Sequence, residues 1–131
     1  LVDQAETPSF FLSGEMKVVP NGQFNPRRRV SPVMAKLSPA EKQAAIKQNP
    51  DYGIVVCRCE GISRGEIIDT INSPLPAVSV DAVKRRSRPG MGRCQGGFCS
   101  PLVMQIICEQ TGMQPCEVTK NGEGSNIVFS E

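Results

Sequence analysis

The chain has 131 residues, 39% of them apolar, with 5% aromatic residues, no tryptophan and a formal net charge of +2. So small a charge disfavours a nucleic-acid binder unless its cations share one face, and no stretch approaches the roughly 18 to 20 apolar residues that a bilayer span needs. Scarce large side chains leave a thin core, of the kind that a disulfide or a metal commonly stabilises, and six cysteines are at hand.

No charged-then-apolar leader opens the sequence, so a reducing cytoplasm is the expected setting, where thiolates bind metal more often than they pair as disulfides. The first residue is Leu1 rather than methionine, which predicts a piece excised from a longer protein. Residues 1–37 have little periodicity and contain Pro8, Pro20, Pro26 and Pro32; they read as an extended arm or linker. The apolar patches Phe10-Phe11-Leu12 and Met16 to Val19 cannot bury themselves alone. The run Arg27-Arg28-Arg29 has no interleaved aromatic rings and reads as a solvated or domain-docking stretch before a nucleic-acid contact.

Residues 38–50 read as a connecting helix. Ser38 is its N-cap, Pro39 its first helical residue and Glu41 the partner that closes a capping box, and Asn49-Pro50 stops it. Gly53 to Cys59 reads as a short β-branched strand in which Cys57 and Cys59, two residues apart, face the same way. Ser63-Arg64-Gly65-Glu66 is a second capping box, opening a helix with Ile67, Ile68 and Ile71 on one face. A third helix begins near Ser79, turns Val80 and Val83 inward and ends in Lys84-Arg85-Arg86, where cations suit the helix dipole. A fourth takes Ser100 as N-cap and Pro101 as first residue, buries Leu102, Val103, Ile106 and Ile107, and stops at Gly112. The segment after Lys120 is mostly polar and either frays or docks through Ile127-Val128-Phe129.

The chemistry lies in the cysteines. Cys57 and Cys59 are spaced C-x-C, Cys94 and Cys99 are spaced C-x4-C, and the 34 residues between the pairs hold no other cysteine. Glycines surround the second pair at Gly90, Gly92, Gly96 and Gly97, and let backbone amides approach cluster sulfur closely. Four thiolates converging on a [2Fe-2S] cluster is the reading this combination favours. Structural zinc is the second reading, though its paired ligands commonly stand two to four residues apart; disulfides or uncommitted thiols are the third. Cys99 lies at a helix start, where the partial positive charge favours a thiolate. Cys108 reads as a small core residue and Cys116 as an incidental thiol.

Lys84, Arg85, Arg86, Arg88 and Arg93 form a basic cluster without an acid. A cluster held by four thiolates carries two net negative charges when oxidised and three when reduced, so these cations are candidates for tuning it; a solvated helix end is the plainer alternative. Gly90, Gly92 and Gly96 do not make a dinucleotide loop, because no strand precedes them and the spacing is wrong.

Val56-Cys57-Arg58-Cys59-Glu60, Val80 to Arg86, and Gly92-Arg93-Cys94-Gln95-Gly96-Gly97-Phe98-Cys99 together resemble the [2Fe-2S] domain related to bacterioferritin-associated ferredoxin. More narrowly, they resemble the version at the C-terminus of anaerobic-type FAD-dependent glycerol-3-phosphate dehydrogenases; the small ferredoxin has C-x2-C where this chain has C-x4-C. The resemblance covers residues 51–120, with Phe24 to Arg27 and the Ser38 helix similar to the preceding linker and residues 121–131 left as a tail. It implies a mainly α domain with minor β, a cluster held by loops, and an electron-relay role between FAD in a missing N-terminal domain of the same polypeptide and an acceptor. No flavin or substrate motif stands in this chain, so no catalytic residue is expected in it. A docking or metallochaperone module on the same fold is the alternative from another class.

Overall fold

The computed structural model describes residues 21–23 and 31–129; the expectations that rest on residues 1–20, 24–30 and 130–131, among them the two apolar patches and the triple arginine, lie outside the described residues. Four helices carry the fold: α1 (Pro39–Gln48), α2 (Arg64–Ile71), α3 (Val80–Ser87) and α4 (Ser100–Thr111). Between α1 and α2 a two-stranded antiparallel hairpin, β1 (Val55–Cys57) and β2 (Ile62–Ser63), makes the small β component. The domain is therefore mainly α.

Local chemistry starts α1, α2 and α3 where the sequence predicts. Ser38 and Ser63 each accept a hydrogen bond from the backbone N–H three residues on, and the Glu41 and Glu66 carboxylates each accept one from the cap backbone N–H, so both capping boxes close. Ser79 caps α3 by accepting from the Ala82 N–H. Glu66 does more than cap. Its buried carboxylate also accepts from the Met34 N–H at 3.1 Å, which anchors a 3-10 turn (Met34–Lys36) that the sequence does not announce. A buried charge is costly unless hydrogen-bonded, and here the Ser63 N–H, the Ser63 hydroxyl and the Met34 N–H satisfy it at a helix N-terminus.

The core collects one face from each of three helices: Ile67 and Ile71 of α2, Val83 of α3, and Val103, Ile106 and Ile107 of α4. Ala77, Val118 and the strand residues Val56, Cys57 and Ile62 complete it, with Cys99. Ile68 and Val80 are only partly buried, and Leu102, expected inside, is 45% exposed. The reason is angular. Val103, Ile106 and Ile107 already fill the stripe of α4 that faces α2 and α3, and Leu102 stands one residue to the side of it. By contrast α1 buries no residue; it rests against a second 3-10 turn (Pro50–Gly53), where Ile46 packs on Gly53.

Two sets of polar links hold the layers. Arg64 bridges Asp51 on one side and Glu109 on the other, at 2.7 Å to the latter, and so joins the Pro50–Gly53 turn to α4 through α2. The segment past α4 is tied down as far as Asn126, though not through the exposed Ile127-Val128-Phe129 patch: Thr119 pairs with Asn126 in an antiparallel bridge, and the Val80 and Asp81 N–H groups donate to the Thr119 and Lys120 carbonyls.

Candidate metal centre

Each cysteine of the two predicted pairs is delivered by a different local device. Cys57 ends β1, Cys59 sits in the turn that leads to β2, Cys94 lies in the loop after α3, and Cys99 is the N-cap of α4. The strand stops at Cys57, and the ladder is irregular between Val55 and Cys57, so the expected extended run through Cys59 gives way to a tight turn. The two cysteines differ in burial, Cys57 being 1% exposed and Cys59 exposed, yet Cys57 lies close enough to act electrostatically on Cys59. Cys99 is 2% exposed and Cys94 half-buried.

The pairs that form in space cross the pairs in sequence. The Cys59 thiol donates to the Cys94 sulfur at 3.6 Å, and Cys57 lies close enough to Cys99 to raise its pKa. Two thiolates on one tetrahedral ion with bonds of about 2.3 Å stand about 3.7 Å apart, so Cys59 and Cys94 are already at the spacing of a shared metal. All six cysteines are free thiols, which removes the disulfide reading. Among the described residues no three cysteine, histidine or acidic side chains converge on one ion. Two soft thiol pairs side by side form the donor set that a dinuclear cluster takes, with two thiolates to each metal. The residues present fit a [2Fe-2S] cluster.

The loop that carries Cys94 is shaped around the site. Gly92 faces the Cys59 Cβ so closely that a Cβ of its own would lie 2.3 Å away, and Gly96 has a φ of +88°, a conformation that L side chains rarely adopt. Gln95, itself at a positive φ of 47°, ties the loop back by donating from Nε2 to the Gly92 carbonyl at 2.9 Å. The steric need for Gly92 and the brace from Gln95 escape sequence reasoning; the only advance signal is the density of glycine.

Backbone donors set the electrostatics. The Gly96 N–H, then the Cys59 thiol and the Phe98 and Gly97 N–H groups, hold the Cys94 thiol below its ordinary pKa. Cys59 is pushed up, first because its proton is used in the bond to Cys94. Cys99 is pushed up to about 11, first by burial and then by Cys57 beside it. The expectation that the helix start would favour a thiolate at Cys99 is thus overturned, because desolvation outweighs the dipole of one helix end.

The five predicted tuning cations are dispersed. Arg85 pairs with Asp81 at 3.8 Å and bonds Asn121, Arg86 donates to the Leu75 carbonyl and the Ser73 hydroxyl, and Arg88 pairs with Glu60 at 3.0 Å. The Lys84 and Arg93 side chains form no ion pair among the described residues, and Arg93 is exposed beside Cys94. Cys108 is partly buried against the core and Cys116 is half-buried, apart from the four paired cysteines.

A hairpin and a glycine loop thus carry the two thiol pairs of a small, mainly α domain. Residues 55–109 match the family model of the BFD-like [2Fe-2S] binding domain. The chain is 46% identical over 112 residues to a glycerol 3-phosphate dehydrogenase of Caloramator mitchellensis, a match that covers 86% of this chain and 23% of that protein. It is 37% identical over 70 residues to a subunit of opine oxidase from Rhizobium meliloti, covering 53% of this chain and 12% of the relative. It is also 37% identical over 49 residues to a subunit of the anaerobic glycerol-3-phosphate dehydrogenase of Haloferax volcanii, covering 37% of this chain and 8% of the relative. The chain thus spans less than a quarter of the length of these curated relatives. No solved structure matches it significantly. Among the described residues no helix is long and apolar enough to cross a membrane.

Proposed function

We propose that this chain is the C-terminal electron-transfer domain of an FAD-dependent oxidoreductase of the glycerol-3-phosphate dehydrogenase type. In this reading Cys57, Cys59, Cys94 and Cys99 hold a [2Fe-2S] cluster, residues 51–120 form the domain, residues 1–37 and the 38–50 helix connect it to a preceding flavin domain, and residues 121–131 are a tail. The single observation that carries the ligand assignment is the meeting of Cys59 and Cys94 at 3.6 Å, with Cys57 near Cys99, within residues that match a [2Fe-2S] family model. The similarity to dehydrogenase and oxidase chains supports the flavin partner. The cytoplasm is the proposed compartment.

The cluster, when bound, supplies a one-electron centre beside a two-electron flavin. The protein's own residues then do three things. The four thiolates hold the metals. The Gly96, Gly97 and Phe98 N–H groups meet the negative charge on Cys94 with donors already in place. The Val56, Val103 and Ile107 side of the core keeps water from Cys57 and Cys99. In this reading substrate oxidation falls to the flavin domain.

The test is a reductive titration of the anaerobically purified chain with photoreduced flavin. The expected result is uptake of one electron per chain, bleaching of the visible spectrum, and no oxidation of glycerol 3-phosphate by the flavin-free chain. Failure to accept an electron, or dehydrogenation of that substrate by the chain alone, overturns the proposal.

A further inference from the structure

The four cysteines present an inner and an outer edge. Cys57 and Cys99 belong to the core, whereas Cys59 is exposed and Cys94 half-buried. Electron transfer weakens steeply with distance, so a partner gains most by approaching where least protein covers the sulfur.

What surrounds the outer edge is unusual for an idle surface. Arg58, next to Cys59, and Arg93, next to Cys94, are both exposed, and neither has an ion-pair partner among the described residues. The adjacent acid, Glu60, is already taken by Arg88 at 3.0 Å. Phe98 contributes its N–H to the Cys94 sulfur yet leaves its ring 84% exposed. Arginine and aromatic side chains are the residues that most often anchor protein interfaces.

Resting on the cluster reading above, we propose that the Cys59–Cys94 edge is the electron port and that Arg58, Arg93 and Phe98 seat an acidic surface of the acceptor protein. The ring supplies desolvated contact while the two guanidinium groups select charge and speed the encounter. One electron leaves in each event: a ferrous iron of the domain becomes ferric and the acceptor is reduced by one electron, with no bond made or broken.

Stopped-flow oxidation of the dithionite-reduced chain tests this with oxidants of opposite charge. Ferricyanide is anionic and hexaammineruthenium(III) cationic, and the ratio of their rates largely removes any change in the cluster's own potential. The double variant Arg58→Gln/Arg93→Gln should lower the ferricyanide-to-ruthenium ratio roughly three- to tenfold at low salt, with the gap closing as salt rises. Lys47→Gln on α1 should leave the ratio unchanged. With the acidic copper protein plastocyanin as acceptor, Phe98→Ala should slow oxidation roughly threefold or more, whereas Lys47→Gln should not. If the double variant moves the ratio no more than Lys47→Gln, or if Phe98→Ala leaves the plastocyanin rate intact, the port is overturned. A wild-type chain with no iron–sulfur absorption overturns the cluster reading instead, and the spectrum taken before mixing tells the two failures apart.

Discussion

The inner and outer thiol pairs contain the same residue type in opposite surroundings. Cys57 and Cys99 are packed among Val56, Ile62, Val103 and Ile107, while Cys59 and Cys94 ride on turns and are met by backbone N–H groups. Burial pushes the Cys99 thiol up to about 11, and N–H donors pull the Cys94 thiol down. The difference divides the labour. In the proposed cluster the inner pair would couple the metal to folding, and the outer pair would couple it to the surface.

The largest expected effect comes from serine at the inner pair. Any of Cys57→Ser, Cys59→Ser, Cys94→Ser and Cys99→Ser should abolish or grossly destabilise the cluster, but only Cys57→Ser and Cys99→Ser should also weaken the apo fold. A hydroxyl left without a partner in the core costs about 1–3 kcal/mol. Denaturant titration of the apo variants checks this, and equal stability of all four would erase the distinction between the edges. Cys108→Ser and Cys116→Ser should leave the visible spectrum in place.

Next comes Gly92→Ala, whose added carbon would lie 2.3 Å from the Cys59 Cβ. It should displace the outer pair and reduce cluster occupancy severalfold, read as iron bound per chain, while the apo helix content measured by circular dichroism stays unchanged.

Titration sharpens the contrast further. Because the folded Cys99 value is raised above its ordinary 9.0 to about 11, the protonated thiol favours the apo fold below pH 9, and that contribution is lost as pH rises from about 9 to about 11. The apo melting temperature should fall across that window, whereas the loaded protein, in which metal has replaced the proton, should lack this component. Timed iodoacetamide labelling of the apo chain should modify Cys94 first and Cys99 last; the reverse order would contradict the assigned environments.

The smallest effect is on potential. Each cation near the cluster stabilises the reduced form, so Arg93→Gln should lower the potential by about 20–80 mV after screening. Arg86→Gln should shift it less, because Arg86 is held at the Leu75 carbonyl. A redox titration at two ionic strengths decides, and an upward shift for Arg93→Gln with the cluster intact would remove its tuning role.

Much of this fold is legible because its signals are local. Ser38, Ser63 and Ser79 start helices through hydrogen bonds that span three residues, and the isoleucines and valines of α2 and α4 repeat with the helical period. The cap of α4 is one residue early, at Cys99 rather than Ser100. What sequence periodicity misses is set by non-local geometry. The turn at Cys59 exists because β1 must fold back onto β2, so a strand reading through Cys59 misses that Cys57 is buried and Cys59 exposed. The basic run looks continuous in sequence, yet Asp81, Leu75 and Glu60 take Arg85, Arg86 and Arg88 in three directions. Convergence of the four cysteines is suggested by their spacing, but the crossing of the pairs is visible only in three dimensions.

The most direct measurement is elemental: iron, acid-labile sulfide and zinc in the anaerobically purified chain, beside the same measurement on Cys57→Ser and Cys116→Ser. The account predicts two irons and two sulfides per chain, retained in Cys116→Ser and lost in Cys57→Ser. One zinc per chain without sulfide, or iron that survives Cys57→Ser and vanishes in Cys116→Ser, would contradict it.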